Sequence, residues 1–433
     1  SKMLQSLKNR FVSKLSRREL FRRGSLLALP ALLPEKLVAA VAGTPKLRVG
    51  ADIYKSIGVR PLINARGTFT IISGSTMLPE VRDAMSAAAQ QYVQMDELMN
   101  AIGARLAELT KAEWGMVSSG CAAGLTHATA ACVAGGNPDL HVRIPNLAGF
   151  HKDEVIIPKH SRNVYDAGVR AVGVRIIEVG TAEELEAAFG PRTAMVYILA
   201  SPQADEGPLS TKAIAQIARR KGVPVLVDAA AEVLTVPNVH LENGATLVTY
   251  SGGKCIRGPQ TGGLLLGRKD LVQAAWVHSA PHHGFARGLK VGKEEAMGML
   301  MAVEMWMQRD HKAEWNRWLA WLDHISKRVS AIDGVKTAIR EPEGLSNRTP
   351  TLVINWDRTR LGISGREVAK QLMEGEPRIT TPGGRDQRDG SESSISITPY
   401  MMAAGEEKLV ADRLCALLSK PSKQPAETPA APA

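Results

Sequence analysis

Tyr250-Ser-Gly-Gly-Lys254-Cys-Ile-Arg257-Gly-Pro-Gln-Thr-Gly-Gly263 sets one lysine in a glycine-rich turn between two apolar runs. Upstream, Ala245-Thr-Leu-Val-Thr-Tyr250 is β-branched and aromatic, and reads as a strand that stops at Ser251-Gly-Gly. Downstream, Gly258-Pro259 and Gly262-Gly263 break the chain before a second strand at Leu264-Leu-Leu-Gly267. A rigid turn fixes where the amine points. A lysine partly removed from water loses its proton more readily, which imine formation with an aldehyde requires. Lys254 is therefore read as a Schiff-base lysine.

A partner for it lies upstream. Gly222-Val-Pro-Val-Leu-Val-Asp228 is an apolar run that ends in an acid, the pattern of a buried parallel strand with its carboxylate at the ligand-binding edge of the sheet. An aspartate there can pair with a protonated pyridine nitrogen, which is what makes pyridoxal phosphate (PLP) an electron sink. Ser119-Gly120-Cys121 opens an Ala-rich helix that runs to about Ala134, and free N–H groups at such a start form a phosphate cup.

With these residues the chain resembles fold-type I PLP-dependent enzymes with a class V aminotransferase-like fold. More narrowly, it is similar to the group of selenocysteine synthase (L-seryl-tRNA(Sec) selenium transferase) and D-glucosaminate-6-phosphate ammonia-lyase. The likeness runs from about Gly58 to Leu418 through Arg60–Thr68, Ser118–Gly124, Val227-Asp-Ala-Ala230, the Lys254 stretch with Arg257–Gln260, and Arg287–Glu294. It implies PLP as cofactor, held by Ser119, Gly120, Cys121, Asp228, Ala230, Ser251 and Lys254, with Lys254 and Asp228 catalytic. Two contacts remain open: an imidazole stacked on the ring, with His160 the candidate and Arg162 its competitor, and a partner for the phenolic oxygen from Ser201 or Gln203. Arg66, Arg257, Arg287 and Lys290 are the substrate-side candidates, with Asn64 and Thr68 weaker ones, and the basic pair Arg287/Lys290 implies an anionic group on the substrate. Arg378 or Arg385 could bind a carboxylate. Two departures from the selenium transferases stand out. Gly253 replaces the acid beside the lysine, and their N-terminal tRNA-binding region has no counterpart.

Composition adds bounds. The 433 residues, 44% hydrophobic and 22% charged, describe a globular chain. Of the net charge of +11, residues 1–42 contribute +7, which removes most of the support for a nucleic-acid partner. That N-terminal stretch combines Arg17-Arg18 and Arg22-Arg23, the apolar Ser25–Leu33, and Ala40-Val-Ala42. It resembles a twin-arginine export signal cleaved after Ala42, so the mature protein is expected to use that export machinery, to be periplasmic or otherwise exported, and to have no stable membrane insertion after cleavage. The four cysteines show no paired or metal-type spacing, and no metal is expected.

The expected organisation is a signal peptide at 1–42, an arm at 43–77, a large PLP-binding domain at 78–285, a small C-terminal domain at 286–419, and a Pro/Ala-rich tail at 420–433 without fixed structure. Alternating apolar strands and amphipathic helices between Val174 and Asp228 predict an α/β fold with a mostly parallel sheet of the seven-stranded type, and the C-terminal part predicts a small α/β domain. Met297–Val329 reads as one long helical stretch. A homodimer or higher oligomer is expected, because active sites in this fold form between subunits.

The expected reaction is α,β-elimination on an amino acid or amino-sugar acid, an ammonia-lyase type of chemistry. An aminotransferase or racemase on the same lysine and aspartate is the alternative, separated by whether ammonia appears without a keto-acid acceptor. Selenium transfer and a non-catalytic PLP-binding protein are the remaining readings.

Overall fold

The computed structural model describes residues 47–419. The expected signal peptide and C-terminal tail lie outside them. The chain divides into two units, one ending at Pro61 and one beginning at Leu62. In the described part of the first, a short turn at Lys55–Ile57 is tied by the Ser56 hydroxyl, which donates to Ile53 O at 2.7 Å and accepts Arg48 N at 3.2 Å.

Among the described residues, the second unit carries thirteen strands. In chain order they are β1 (Ile63–Asn64), β2 (Trp114–Ser118), β3 (Glu154–Pro158), β4 (Arg175–Val179), β5 (Thr193–Leu199), β6 (Val225–Asp228), β7 (Leu247–Ser251), β8 (Gly263–Gly267), β9 (Val335–Arg340), β10 (Thr351–Asp357), β11 (Ile379–Thr380), β12 (Gly384–Asp386) and β13 (Glu392–Ile397). Seven form one sheet in the order β2-β8-β7-β6-β5-β3-β4. It is parallel except for β8, which runs antiparallel to both β2 and β7. The expected α/β architecture is present, and the central strands show why they were legible. Every residue of β3, β6 and β8 is buried, as helices on both faces of a parallel sheet require.

The helix Cys121–Ala134 is buried nearly all round. Its small residues let it lie hard on the sheet: a Cβ at Gly124 would come 2.4 Å from Thr249 Oγ1. This approach brings the helix start to the sheet edge where β7 ends.

The C-terminal part builds a four-stranded antiparallel sheet, β12-β13-β10-β9. Its separate core joins Leu322, Ile325 and Val329 to Trp356, Leu372, Leu414 and others. Strand β1 pairs in parallel with β11, and Thr398 N donates to Ala65 O at 2.9 Å, so the N-terminal arm residues are stitched to this part. The larger core takes in Val291, Ala296, Met299, Val303 and Trp306, so the helix Lys293–Gln308 packs with the large sheet although it follows the border expected after residue 285.

The stretch expected as one long helix is two, Lys293–Gln308 and His311–Ser330. Arg309 is extended at φ −64°, ψ 138°, and Asp310 caps the second helix by accepting Ala313 N at 2.9 Å. Three C-terminal strands carried no readable pattern. Strand β9 buries only Val335, and β11 and β12 have two and three residues.

Strand β8 meets the helix start at Gly263, where a Cβ would lie 2.5 Å from Gly120 C and 2.8 Å from Cys121 N. Both neighbours are backbone and cannot swing away. Gly263→Ala is expected to cost about 1–3 kcal/mol in chemical denaturation and to weaken PLP affinity by moving the Gly120–Cys121 turn.

Candidate active site

The elements singled out in the sequence converge on one edge of the large sheet. Strands β2, β3, β5, β6 and β7 end there and β8 begins there. The register places Ser118 and Ser251 on either side of Gly263, and Asp228 between Leu199 and Thr249.

Asp228 closes β6 and is 2% exposed. Its Oδ1 accepts Ala230 N at 3.1 Å and the Cys121 thiol at 3.4 Å, and its Oδ2 accepts the Tyr197 hydroxyl at 3.1 Å. Tyr197 in turn accepts Asn163 Nδ2 at 2.9 Å. Burial raises the Asp228 carboxyl above the ordinary carboxylate range, against these donors and the charge of Lys254. Burial, with the neighbouring Asp228 charge next in size, pushes the Cys121 thiol and the Tyr197 phenol up. Both therefore keep their protons at neutral pH and remain donors. Cys121, expected in the phosphate turn, is also a direct partner of Asp228.

Lys254 is half-buried, three residues past the end of β7, and its carbonyl accepts Arg257 N at 3.0 Å. The loop is closed by Gly252 N donating to Gly262 O and Gly258 N donating to Gly252 O, each at 2.8 Å. Its glycines are required by contact: a Cβ on Gly252 would sit 2.4 Å from Met299 Sδ, and one on Gly253 2.2 Å from Gln260 Oε1. Arg257 has φ +58° and sends its guanidinium to Thr76, Nε to the carbonyl at 2.9 Å and one terminal nitrogen to the hydroxyl at 3.1 Å. Expected on the substrate, Arg257 is thereby a clip between the lysine loop and the arm.

At the start of the helix Cys121–Ala134, Gly120 has φ +94°, provides no side-chain cap, and leaves open space where a Cβ would be. The first N–H groups of the helix are thus presented to that space, as anion binding needs. Ser119 donates to Leu289 O at 3.0 Å, which fastens the segment bearing Arg287 and Lys290 beside the cup. Both basic side chains are exposed, and neither has a carboxylate partner among the described residues. Ser201, after β5, has a buried hydroxyl with no partner among the described residues. Ser251 and Ala230 meet where Ser251 N donates to Ala230 O at 3.4 Å.

His160 follows β3. Its Nε2 contacts Leu209 O at 3.2 Å and its Nδ1 the Ser161 hydroxyl at 3.1 Å. Arg162, its competitor, is held by the carboxylates of Asp166 and Glu178, each at 2.7 Å, and so is committed elsewhere. Asn64 shapes a turn by accepting Arg66 N and Gly67 N, both at 3.0 Å. Arg66 stacks over Phe69 at 4.4 Å and keeps a buried Nε without a partner among the described residues. Arg378 Nε donates to Met373 O at 3.2 Å, whereas Arg385 lies exposed on β12.

The donor set fits PLP: an uncapped helix start for phosphate, a buried acid for the ring nitrogen, an orphaned Ser201 hydroxyl for a ring oxygen, and a lysine on the same edge for the aldehyde. Tyr197 and Asn163, which orient the acid, were missed by sequence reasoning. The available signal was a polar-tipped side chain inside an otherwise apolar strand.

No protein-family model matches the chain. It is 30% identical over 372 residues to the D-glucosaminate-6-phosphate ammonia lyase of Salmonella typhimurium, covering 84% of this chain and 97% of that one. The solved structure of a D-glucosaminate-6-phosphate ammonia-lyase superposes with a TM-score of 0.74 at 30% identity, over 84% of this chain and 98% of that one. The chain belongs to this family. With it the chain is a fold-type I PLP-dependent enzyme. Similarity extends to a Streptomyces 5'-C-glycyluridine monooxygenase-decarboxylase, 32% identical over 75% of this chain and 83% of that one. It reaches the L-seryl-tRNA(Sec) selenium transferase of Moorella thermoacetica at 28% over 54% and 53%.

The Asp228 environment generates two tests. Its raised pKa means that the folded state binds this proton more tightly than the unfolded chain does. The linked stability is present below the ordinary aspartate pKa and is lost as pH rises through that value towards the folded one. At neutral pH, Asp228→Asn should therefore leave the cofactor-free protein as stable or more so in thermal melts, while kcat falls on the order of 10²–10³-fold. Tyr197→Phe removes a donor that lowers the Asp228 pKa. It should lower kcat and shift the pH titration of the bound-cofactor absorption band without loss of the band.

Proposed function

We propose that this chain is a PLP-dependent ammonia-lyase that carries out α,β-elimination on an amino acid or amino-sugar acid bearing an anionic group. The observation that carries this reading is the convergence of Asp228, Lys254 and the uncapped helix start on one sheet edge, in a chain of the ammonia-lyase family. PLP, when bound, supplies a sink for the electron pair left at the substrate α carbon.

The residues divide the work. Asp228, oriented by its donors, would hold a proton at the pyridine nitrogen of bound PLP. Lys254 would hold the cofactor through its amine, and the same amine would serve as general base for the substrate's α proton. Arg287 and Lys290 orient the substrate's anionic group over the cup. Departure of the β substituent with its bonding electrons leaves an enamine product, and water converts this to a 2-keto acid and ammonia.

Similarity to a monooxygenase-decarboxylase supports a second reading, in which the same α carbanion reacts with oxygen and loses CO₂. Gly253, in place of an acid beside the lysine, sets the chain apart from the selenium transferases and favours the lyase. The mature enzyme is exported by the twin-arginine route, a reading supported by the paired arginines and Ala40-Val-Ala42. It works as a homodimer, as its fold type leads one to expect.

The test is incubation of the PLP-loaded protein with D-glucosaminate 6-phosphate and a panel of amino acids. The expected outcome is equimolar ammonia and 2-keto acid, without a keto-acid acceptor and without oxygen uptake. Oxygen uptake with CO₂ release establishes the second reading instead. Lys254→Ala should lose the borohydride-reducible absorption band together with activity. The mass of the exported protein's N-terminus should place cleavage after Ala42.

A further inference from the structure

Next to the Lys254 loop lies a cavity of about 630 Å³, walled by Val233, Trp306, Trp315, Trp318, Leu345 and Tyr400. It has the size of a small-molecule site, about 300–1,000 Å³. Of the lysine stretch it touches only Cys255, and neither Asp228, the helix start nor the Arg287 segment lines it.

Part of its wall is aromatic. Trp318 stands edge-on to Trp315 at 6.2 Å and to Tyr400 at 5.4 Å between ring centroids. Tyr400 is 7% exposed, and its hydroxyl has no oxygen or nitrogen partner among the described residues. The Cys255 thiol, which donates to Glu232 O at 3.2 Å, offers that hydroxyl its sulfur as a weak acceptor. A buried hydroxyl with only sulfur to bond is weakly satisfied, and a ligand oxygen would be a better acceptor.

Charge at the cavity is unbalanced. Arg309 is consumed by a two-pronged pair with Glu314, 2.9 Å on each arm, and by Cys255 O at 2.9 Å. Burial works against ionisation of Glu314, but hydrogen bonds from His311 and Arg309 outweigh it and hold the carboxyl down at about 2, so the pair persists at neutral pH. The remaining charged lining groups are Lys312, Arg348 and Glu341, none of them ion-paired among the described residues. Two cations face one carboxylate.

We propose that this cavity is a second ligand site, for a small molecule with a flat apolar body and an anionic end, and that its occupancy is transmitted to Lys254. The indoles receive the flat body, Lys312 and Arg348 attract the anion, and the Tyr400 hydroxyl supplies the buried hydrogen bond. The route to the lysine is short. Arg309 holds the carbonyl of Cys255, the residue bonded to Lys254, so a ligand that shifts Arg309 or Cys255 shifts the loop that aims the amine.

The test uses the full-length PLP-loaded protein with 8-anilinonaphthalene-1-sulfonate as the anionic flat probe and N-phenyl-1-naphthylamine as its neutral counterpart. Saturable binding of one sulfonate probe per chain is expected, tighter than the neutral probe. Exposed charge contacts imply weakening by about threefold to fivefold for each of Lys312→Glu and Arg348→Glu. Tyr400→Phe should weaken binding too, and saturation should shift the bound-cofactor absorption band. Trp318→Ala should abolish binding, and the two surface charge reversals keep the test valid if that variant does not fold. Equal binding of both probes, or indifference to the charge reversals, overturns the site. Displacement of the probe by substrate at concentrations that saturate catalysis assigns the cavity to the active site and overturns it as a second one. Binding without any change in the absorption band overturns the transmission.

Discussion

The buried carboxylate of Asp228 is the constraint to which the other elements answer. A carboxyl group 2% exposed is tolerable only when its oxygens are occupied by donors. Here the donors come from three places in the chain: the backbone of Ala230 just past β6, the Cys121 thiol at a helix start, and the Tyr197 hydroxyl inside β5. Satisfying the acid therefore fixes the strand, the neighbouring strand and the phosphate cup relative to one another. The geometry that a cofactor needs is the same geometry that makes the acid tolerable.

Close backbone approach does the corresponding work for the lysine. Gly252, Gly253 and Gly263 admit Met299, Gln260 and the Gly120–Cys121 backbone at distances that no Cβ allows. Two arginines then hold the loop from outside, Arg257 through Thr76 and Arg309 through the Cys255 carbonyl. The glycines make the loop compact, and the arginines keep it in one place.

Family membership and site geometry answer different questions. Relatives that share about a third of this sequence include an ammonia lyase and a monooxygenase-decarboxylase, so related sequences serve more than one reaction. Asp228, Lys254 and the helix start gather at one sheet edge. Arg287 and Lys290 are exposed, and Arg66 keeps a buried nitrogen without a partner among the described residues.

Much of this was legible in the chain alone, because it rests on local pattern. Continuous apolar runs ending in Asp228 and Tyr250, glycines around Lys254, and small residues after Ser119 identify strands, turn and helix start without reference to distant residues. Arg257 marks the limit: its neighbours in sequence pointed to the substrate, whereas its guanidinium is spent on Thr76, 181 residues away in the chain. The role of Tyr197, the break at Arg309-Asp310 and the short strands β9, β11 and β12 were hidden for the same reason. Each depends on partners brought near only by folding, such as Asp228 beneath Tyr197, Glu314 and Cys255 around Arg309, and β1 alongside β11. The sequence by itself determined which residue types stand at the sheet edge, since hydrophobic period and turn chemistry are local. Only the tertiary structure decided which of those side chains are free to meet a ligand, because a hydrogen bond or ion pair is settled by the neighbour that arrives.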